Sequence, residues 1–322
     1  MNTKLAYLAV VLLLVAACSG EGNQGNNIED PFIGGNAALN LFLQNGIPPP
    51  TVFDGGSNPF AIGLVMENIG EADIGPGSEN PFMQVRLEGL LPSNFGVTDA
   101  DLVQSPNILI RGSQKNFDGT VLPGELHNIV YEPLNFQPNL QGNQPHSYRL
   151  VACYDYTNYA TSTLCMKDDI LENVQDSTLC TLTGAKPVAN SGGPLHITEV
   201  IQNPMDANKL QVNLKVEHVG TGEFYGREAG ETCDSSVRNS NKFEVDMKVD
   251  TDDPGDNIVC YRLGGGEEGT LTMYQGAPQV VTCIIEGSQS ASRVYQTSLN
   301  VELKYRYGEF IEDSFVVQAI PE

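Results

Sequence analysis

The residues able to do chemistry are few, and the seven cysteines come first: Cys18, Cys153, Cys165, Cys180, Cys233, Cys260 and Cys283. None makes a C-x-x-C pair or stands at ligand spacing from a histidine, so a zinc or cluster site has no pattern to rest on. Four carboxylates, Asp250, Asp252, Asp253 and Asp256, crowd a short stretch containing Pro254 and Gly255. Hard cations take clustered oxygens on tight loops, so calcium is the one metal the sequence offers. The stretch departs from the EF-hand pattern, with Pro254 at its fifth position and Tyr261 at its twelfth. An acidic turn between strands is the competing reading. Gly264–Gly269 spells G-x-G-x-x-G, but a phosphate loop opens a helix, and this one holds two glutamates and runs into the β-rich Thr270–Tyr274. It reads as a hairpin loop. The histidines at 127, 146, 196 and 218 share no metal spacing, and no G-x-S-x-G or H-E-x-x-H is present. The expectation is a non-catalytic protein without a cofactor.

A net charge of −23 argues against nucleic acid and anionic membrane surfaces, which both call for a basic patch. The N-terminus reads as a targeting segment: Lys4, then a thirteen-residue apolar run, Leu5–Ala17, short of the roughly 20 residues that span a bilayer. It ends in Val15-Ala16-Ala17-Cys18, which resembles the lipobox of bacterial and archaeal lipoproteins. The resemblance implies cleavage after residue 17, lipidation of Cys18 and attachment to a membrane outside the cytoplasm. Without residues 1–17 the charge becomes 16 − 40 = −24. The alternative is an ordinary signal peptide whose Cys18 enters a disulfide. Giving Cys18 to a lipid leaves six cysteines, an even set that reads as three disulfides in an oxidising compartment.

The remaining chain reads as all-β. After a Gly- and Asn-rich tether at 18–36, short alternating runs such as Phe60–Asn68 and Leu126–Tyr131 are separated by turn residues, and only Asp168–Gln175 offers a helical turn or two. Tyr148–Met166 reads as a hairpin turning at Thr157-Asn158, and Leu299–Val317 repeats it, with Tyr305-x-Tyr307 matching Tyr154-x-Tyr156. An offset of about 150 carries Leu64, Glu67 and Gly70 onto Leu214, Glu217 and Gly220. The expected architecture is therefore two tandem immunoglobulin-like β-sandwiches, 37–183 and 195–322, related by internal duplication and joined by a linker at 184–194. Asn68-x-Gly70, the Pro123-Gly124-Glu125 before a strand and the closing hairpin resemble CARDB-type cell-adhesion-related domains. That resemblance implies a surface spacer or adhesion module whose partners are other surface proteins or cell-wall components. Two alternatives stand beside it: a filament or surface-assembly subunit that exchanges the 39–43 strand, and an enzyme or solute receptor with a site between domains.

The duplication also suggests a disulfide map. Cys153 and Cys165 flank the expected turn, and both lack counterparts in the second copy (Lys304 and Val316), so Cys153–Cys165 reads as a hairpin staple. Cys260–Cys283 reads as a bond within the second sandwich. Cys180–Cys233 follows by elimination and would clamp the linker.

Overall fold

The computed structural model describes residues 30–167, 180–206, 209–227, 232–233, 241–287 and 294–320. The leader with Cys18 and the expected turns at Asp168–Gln175 lie outside these residues. Phe32–Glu322 form one compact unit. Its described residues are strands and short 3-10 turns, without an α-helix. The first part of the chain supplies β1 (Leu39–Leu43), β2 (Thr51–Phe53), β3 (Phe60–Asn68), β4 (Met83–Glu88), β5 (Val103–Gln104), β6 (Gln114–Lys115), β7 (Val121–Leu122), β8 (Leu126–Leu134) and β9 (Gln144–Lys167). The second supplies β10 (Gly184–Lys186), β11 (Val188–Asn190), β12 (Leu195–Asp206), β13 (Lys209–His218), β14 (Glu223–Tyr225), β15 (Glu244–Thr251), β16 (Asn257–Cys260), β17 (Glu268–Thr272), β18 (Gln279–Glu286) and β19 (Val294–Gln318).

The architecture is sandwich-like. A nine-stranded sheet runs β17-β15-β19-β9-β4-β5, with β11 added to β9, and β14 and β2 added to β19. Two outer sheets, β1-β3-β8 and β10-β12-β13-β18-β16, complete the layers, and β6-β7 form a separate ribbon. Period-two alternation builds the core: Ile62, Leu64 and Met66 in β3, Met83, Val85 and Leu87 in β4, and Leu210, Val212, Leu214 and Val216 in β13 are all buried. Read outward from the β9–β19 pair, the large sheet continues as β4-β5 on one side and β15-β17 on the other.

The expected hairpins are absent. β9 runs straight through Thr157 and Asn158 for 24 residues, and each of them has a partner in β19. Tyr156 lies opposite Tyr305, and Tyr154 opposite Tyr307. A turn uses the polar side chains at its tip to close on its own backbone. Here those groups serve other strands and are buried. The Thr157 hydroxyl donates to Asn80 Oδ1 (2.8 Å), and Asn158 donates to the Ser191 carbonyl (3.0 Å) and accepts from the Tyr305 hydroxyl.

Straightening both strands sends each into the far half. Phe315, near the C-terminus, packs 5.2 Å from Phe60 and 5.9 Å from His146, and Asp54 accepts the amide of Ile320 (2.9 Å). In the other direction, Cys165 gives its amide to Gln202 of β12 (3.0 Å) and takes a hydrogen bond from the same side chain (2.6 Å). The stretch 184–194, expected as a free linker, is built into the sheets, with β10 on β12 and β11 on β9. The end of the expected tether is also fixed, because Glu71 accepts the amides of Ile33, Gly34 and Gly192. The 39–43 strand pairs within its own sheet, Leu39 opposite Asn68.

The disulfide map changes with the strands. Cys153 and Cys165 sit twelve residues apart on one straight strand, roughly 40 Å of β-rise, far beyond bonding reach. Cys153 instead bonds Cys233, and Cys165 bonds Cys180, which removes both partners of the expected Cys180–Cys233 clamp. Cys260 bonds Cys283, the expected pair, across β16 and β18. Three disulfides mark an extracytoplasmic protein. Among the described residues no helix is long and apolar enough to cross a membrane.

Candidate functional site

The middle of the large sheet is held by polar clasps. Asp155 and Arg306 face each other across β9 and β19, with Arg306 Nε 2.9 Å from Asp155 Oδ1 and side chains only 7% and 5% exposed. The guanidinium also lies 3.7 Å from the ring centre of Phe82. Arg227, just after β14, donates to the carbonyls of Tyr305 (3.0 Å), Glu79 (3.2 Å) and Tyr156, and to Thr157 Oγ1 (2.9 Å). Two cations thus tie together residues that are far apart in sequence.

Two buried tyrosines close the ends of β3 and β13. The Tyr156 hydroxyl accepts the amides of Glu71 (3.0 Å) and Ala72 (3.3 Å) and donates to the Gly192 carbonyl (2.7 Å). The Tyr307 hydroxyl accepts the Gly222 amide (2.6 Å) and meets His218 Nε2 at 3.2 Å. Gly70 and Gly220 make the approach possible, since a Cβ there would fall 2.0 Å and 2.4 Å from these hydroxyl oxygens. Burial pushes both phenols up, so they stay neutral and able to donate.

A groove of about 420 Å³ opens on the sheet beside the Cys153–Cys233 bond. Its walls include Arg86, Arg149, Glu223, Tyr225, Phe310 and Cys233. Gly308 forms part of its floor, and a Cβ there would strike Cys233 Cβ at 2.7 Å, so glycine lets the disulfide cross the strand. Arg149 stacks 3.9 Å from the Phe310 ring centre and pairs with Glu312 (3.1 Å), while Glu223 pairs with Lys242 (2.7 Å) and accepts from the Tyr225 hydroxyl (2.7 Å). Glu309 accepts from the Tyr154 hydroxyl (2.6 Å), and burial pushes its carboxyl up to about 7 against the pull of that bond. Arg149, Glu223 and Glu309 are thus each held by a neighbour just outside the lining, Glu312, Lys242 and Tyr154.

The carboxylates of the calcium candidate are each engaged by neighbouring groups. Asp250 accepts the Thr251 amide (2.9 Å), Asp252 the Asn300 side chain (3.0 Å), Asp253 the Gly255 amide (2.9 Å) and Asp256 the Thr251 hydroxyl (2.8 Å). Among the described residues no group of three or more His, Cys, Asp and Glu is placed to hold a metal. Gly264–Gly269 leads into β17. Cys18 lies outside the described residues. The Asp155–Arg306 clasp was not foreseen, although a signal existed: the expected repeat sets Tyr154-Asp155-Tyr156 against Tyr305-Arg306-Tyr307, opposite charges at matched positions. For Arg227 and Glu309 no local pattern would have served.

No known protein family matches the chain, and no curated protein matches it in sequence. Among solved structures, it is similar to a serine-rich repeat adhesion glycoprotein, Srr1, from Streptococcus agalactiae, at 9% identity over 90% of this chain and 100% of that one, with a TM-score of 0.18. A likeness at that score carries no argument about fold or function.

Proposed function

We propose that the chain is a lipid-anchored surface protein outside the cytoplasm, without a catalytic site, acting as a rigid spacer or interaction module. Its two halves arose by internal duplication and hold each other as a fused, strand-exchanged pair. The observation that carries this reading is the β9–β19 ladder, in which every residue of β9 pairs with the other half. An extended, doubly crossed sheet sealed by a disulfide resists separation of the halves, as a load-bearing spacer requires. The duplication draws support from hydrogen bonds related by one offset. Tyr154 donates to Glu309 and Tyr305 to Asn158, and both members shift by 151 (305 − 154, and 309 − 158). The tyrosine closures at Gly70 and Gly220 shift together by 150 and 151 (220 − 70, and 307 − 156).

The anchor is tested by Cys18→Ala. The variant should accumulate as unprocessed precursor or leave the membrane fraction, whereas normal processing and retention would refute lipid attachment. The groove beside Cys153–Cys233 is the surface best suited to a protein partner, since it joins stacked arginine, aromatic rings and mixed charge.

A further inference from the structure

The β6–β7 ribbon carries apolar side chains that stand exposed to solvent. Phe117 at its tip is fully exposed, and Val121 and Leu122 in β7 are each about half exposed, as is Leu126 at the start of β8. The tip is stiff. Asn116 accepts the Gly119 amide (2.9 Å) and donates its own amide to the Thr120 carbonyl (2.8 Å), and Gly119 takes φ of +81°. Asp118 accepts both the amide (3.0 Å) and the hydroxyl (2.7 Å) of Thr120, which lowers its pKa and keeps it ionised. A rigid hairpin that holds an aromatic ring out into water forgoes the favourable burial of that ring. Such an arrangement suits a surface that will cover it.

The base of the ribbon lies where the chain enters the fold. Ser113 donates to the Gly70 carbonyl (2.7 Å) and Gly112 to Asp73 (2.9 Å), while the adjacent Glu71 holds Ile33 and Gly34. Lys115 donates to the carbonyl of Phe32, the first residue of the compact unit (3.4 Å). Thirteen residues (31 − 18) separate Phe32 from Cys18, at most ~45 Å of extended chain. An acyl group on Cys18 would therefore hold this corner within that distance of the bilayer.

We propose that this hairpin is a second membrane contact, with Phe117 set into the headgroup region of a lipid surface and Val121 and Leu122 resting against it. The proposal rests on the lipid-anchor reading for its orientation. Ionised Asp118 limits entry to the interface, within the roughly 5–10 Å that interfacial segments reach. The strong negative charge gives no attraction to acidic lipid, so apolar area supplies the affinity and a zwitterionic surface is the appropriate probe.

The chain contains no tryptophan, so Phe117→Trp introduces a single indole reporter. With six cysteines in disulfides, Cys18 of the mature chain is the thiol left for coupling to a maleimide lipid in phosphatidylcholine vesicles. This attaches the protein whether or not the cell acylates it, so the hairpin is tested apart from the anchor. Acyl-chain bromination should quench the indole of Phe117→Trp by roughly two-fold, as interfacial depth requires, and leave Tyr274→Trp, exposed on the other half, unquenched. Absence of quenching in Phe117→Trp, or equal quenching in both variants, would overturn the proposal. So would an emission shift that follows protein concentration without vesicles, which would assign the hairpin to a second copy of the chain.

Discussion

Tyr154 and Tyr305 make the same hydrogen bond at matched places in the two halves, one to Glu309 and the other to Asn158. The geometry is shared and the chemistry is not. Asn158 is neutral at every pH, whereas Glu309 titrates near 7 because burial disfavours its charge. The outer sheets differ in the same spirit. The first half closes its corner with side chains, Asn68 donating to the carbonyls of Ala72 (2.9 Å) and Ile110 (3.0 Å). The second half has His218 there instead and adds β10, β16 and the Cys260–Cys283 bond. A polar corner thus stabilises the first outer sheet, and sheet extension with a covalent tie stabilises the second. The shared centre, β9 with β19, is where the two become a single object.

The largest expected loss comes from cutting the covalent link between the halves. Replacing Cys153 and Cys233 together by serine opens a connection of 80 residues and should cost about 4.5 kcal/mol on the chain-entropy relation. The same treatment of Cys260 and Cys283, 23 residues apart, should cost about 3.4 kcal/mol, and urea melts of both variants give the ranking. A reversed order would show that the second half leans on its bond more than the interlock does. Next in size is the buried clasp. Arg306→Ala strands Asp155 beneath the sheet and should cost about 3–5 kcal/mol, while Asp155→Leu combined with Arg306→Met should recover most of it.

These pairings mark the limit of what the residues disclosed in advance. Strands β1 and β3 follow from alternation and flanking turn residues, and β3 begins and ends where its pattern does. Gly70 and Gly220, singled out by the offset of about 150, each meet a tyrosine hydroxyl so closely that only glycine is tolerated. The path of β9 was not legible. Thr157-Asn158 has the composition of a turn, and only the distant Asn80, Ser191 and Tyr305 make it a strand. Local chemistry is silent about partners supplied by the other half, so both disulfides that depend on that path were misassigned while Cys260–Cys283, between neighbouring strands of one sheet, was not. The groove stayed hidden for the same reason, its walls coming from β4, β9, β14 and β19.

Smaller effects sharpen the contrast between halves. Glu309 has its folded pKa raised to about 7, so the native state favours the protonated form. Its contribution is full below the unfolded value near 4.5 and fades as pH rises toward 7. Glu309→Gln should therefore stabilise the protein by roughly 3 kcal/mol in mildly alkaline buffer and change little in acid. Asn158→Asp should carry the same pH sensitivity to the other half, read by melting temperature across the pH range. The tyrosine closures come last. Tyr156→Phe takes the hydroxyl from two amides and a carbonyl and should cost about 2 kcal/mol, against about 1 kcal/mol for Tyr307→Phe, where the Gly222 amide and the longer contact to His218 lose it.

The central claim is that the halves exchange strands and fold as one. Scanning calorimetry of residues 19–322 with the disulfides intact tests it most directly. An interlocked pair predicts one transition whose calorimetric and van't Hoff enthalpies agree. Two resolved transitions, or a calorimetric enthalpy about twice the van't Hoff value, would mean that the halves melt as separate domains and would contradict the exchange.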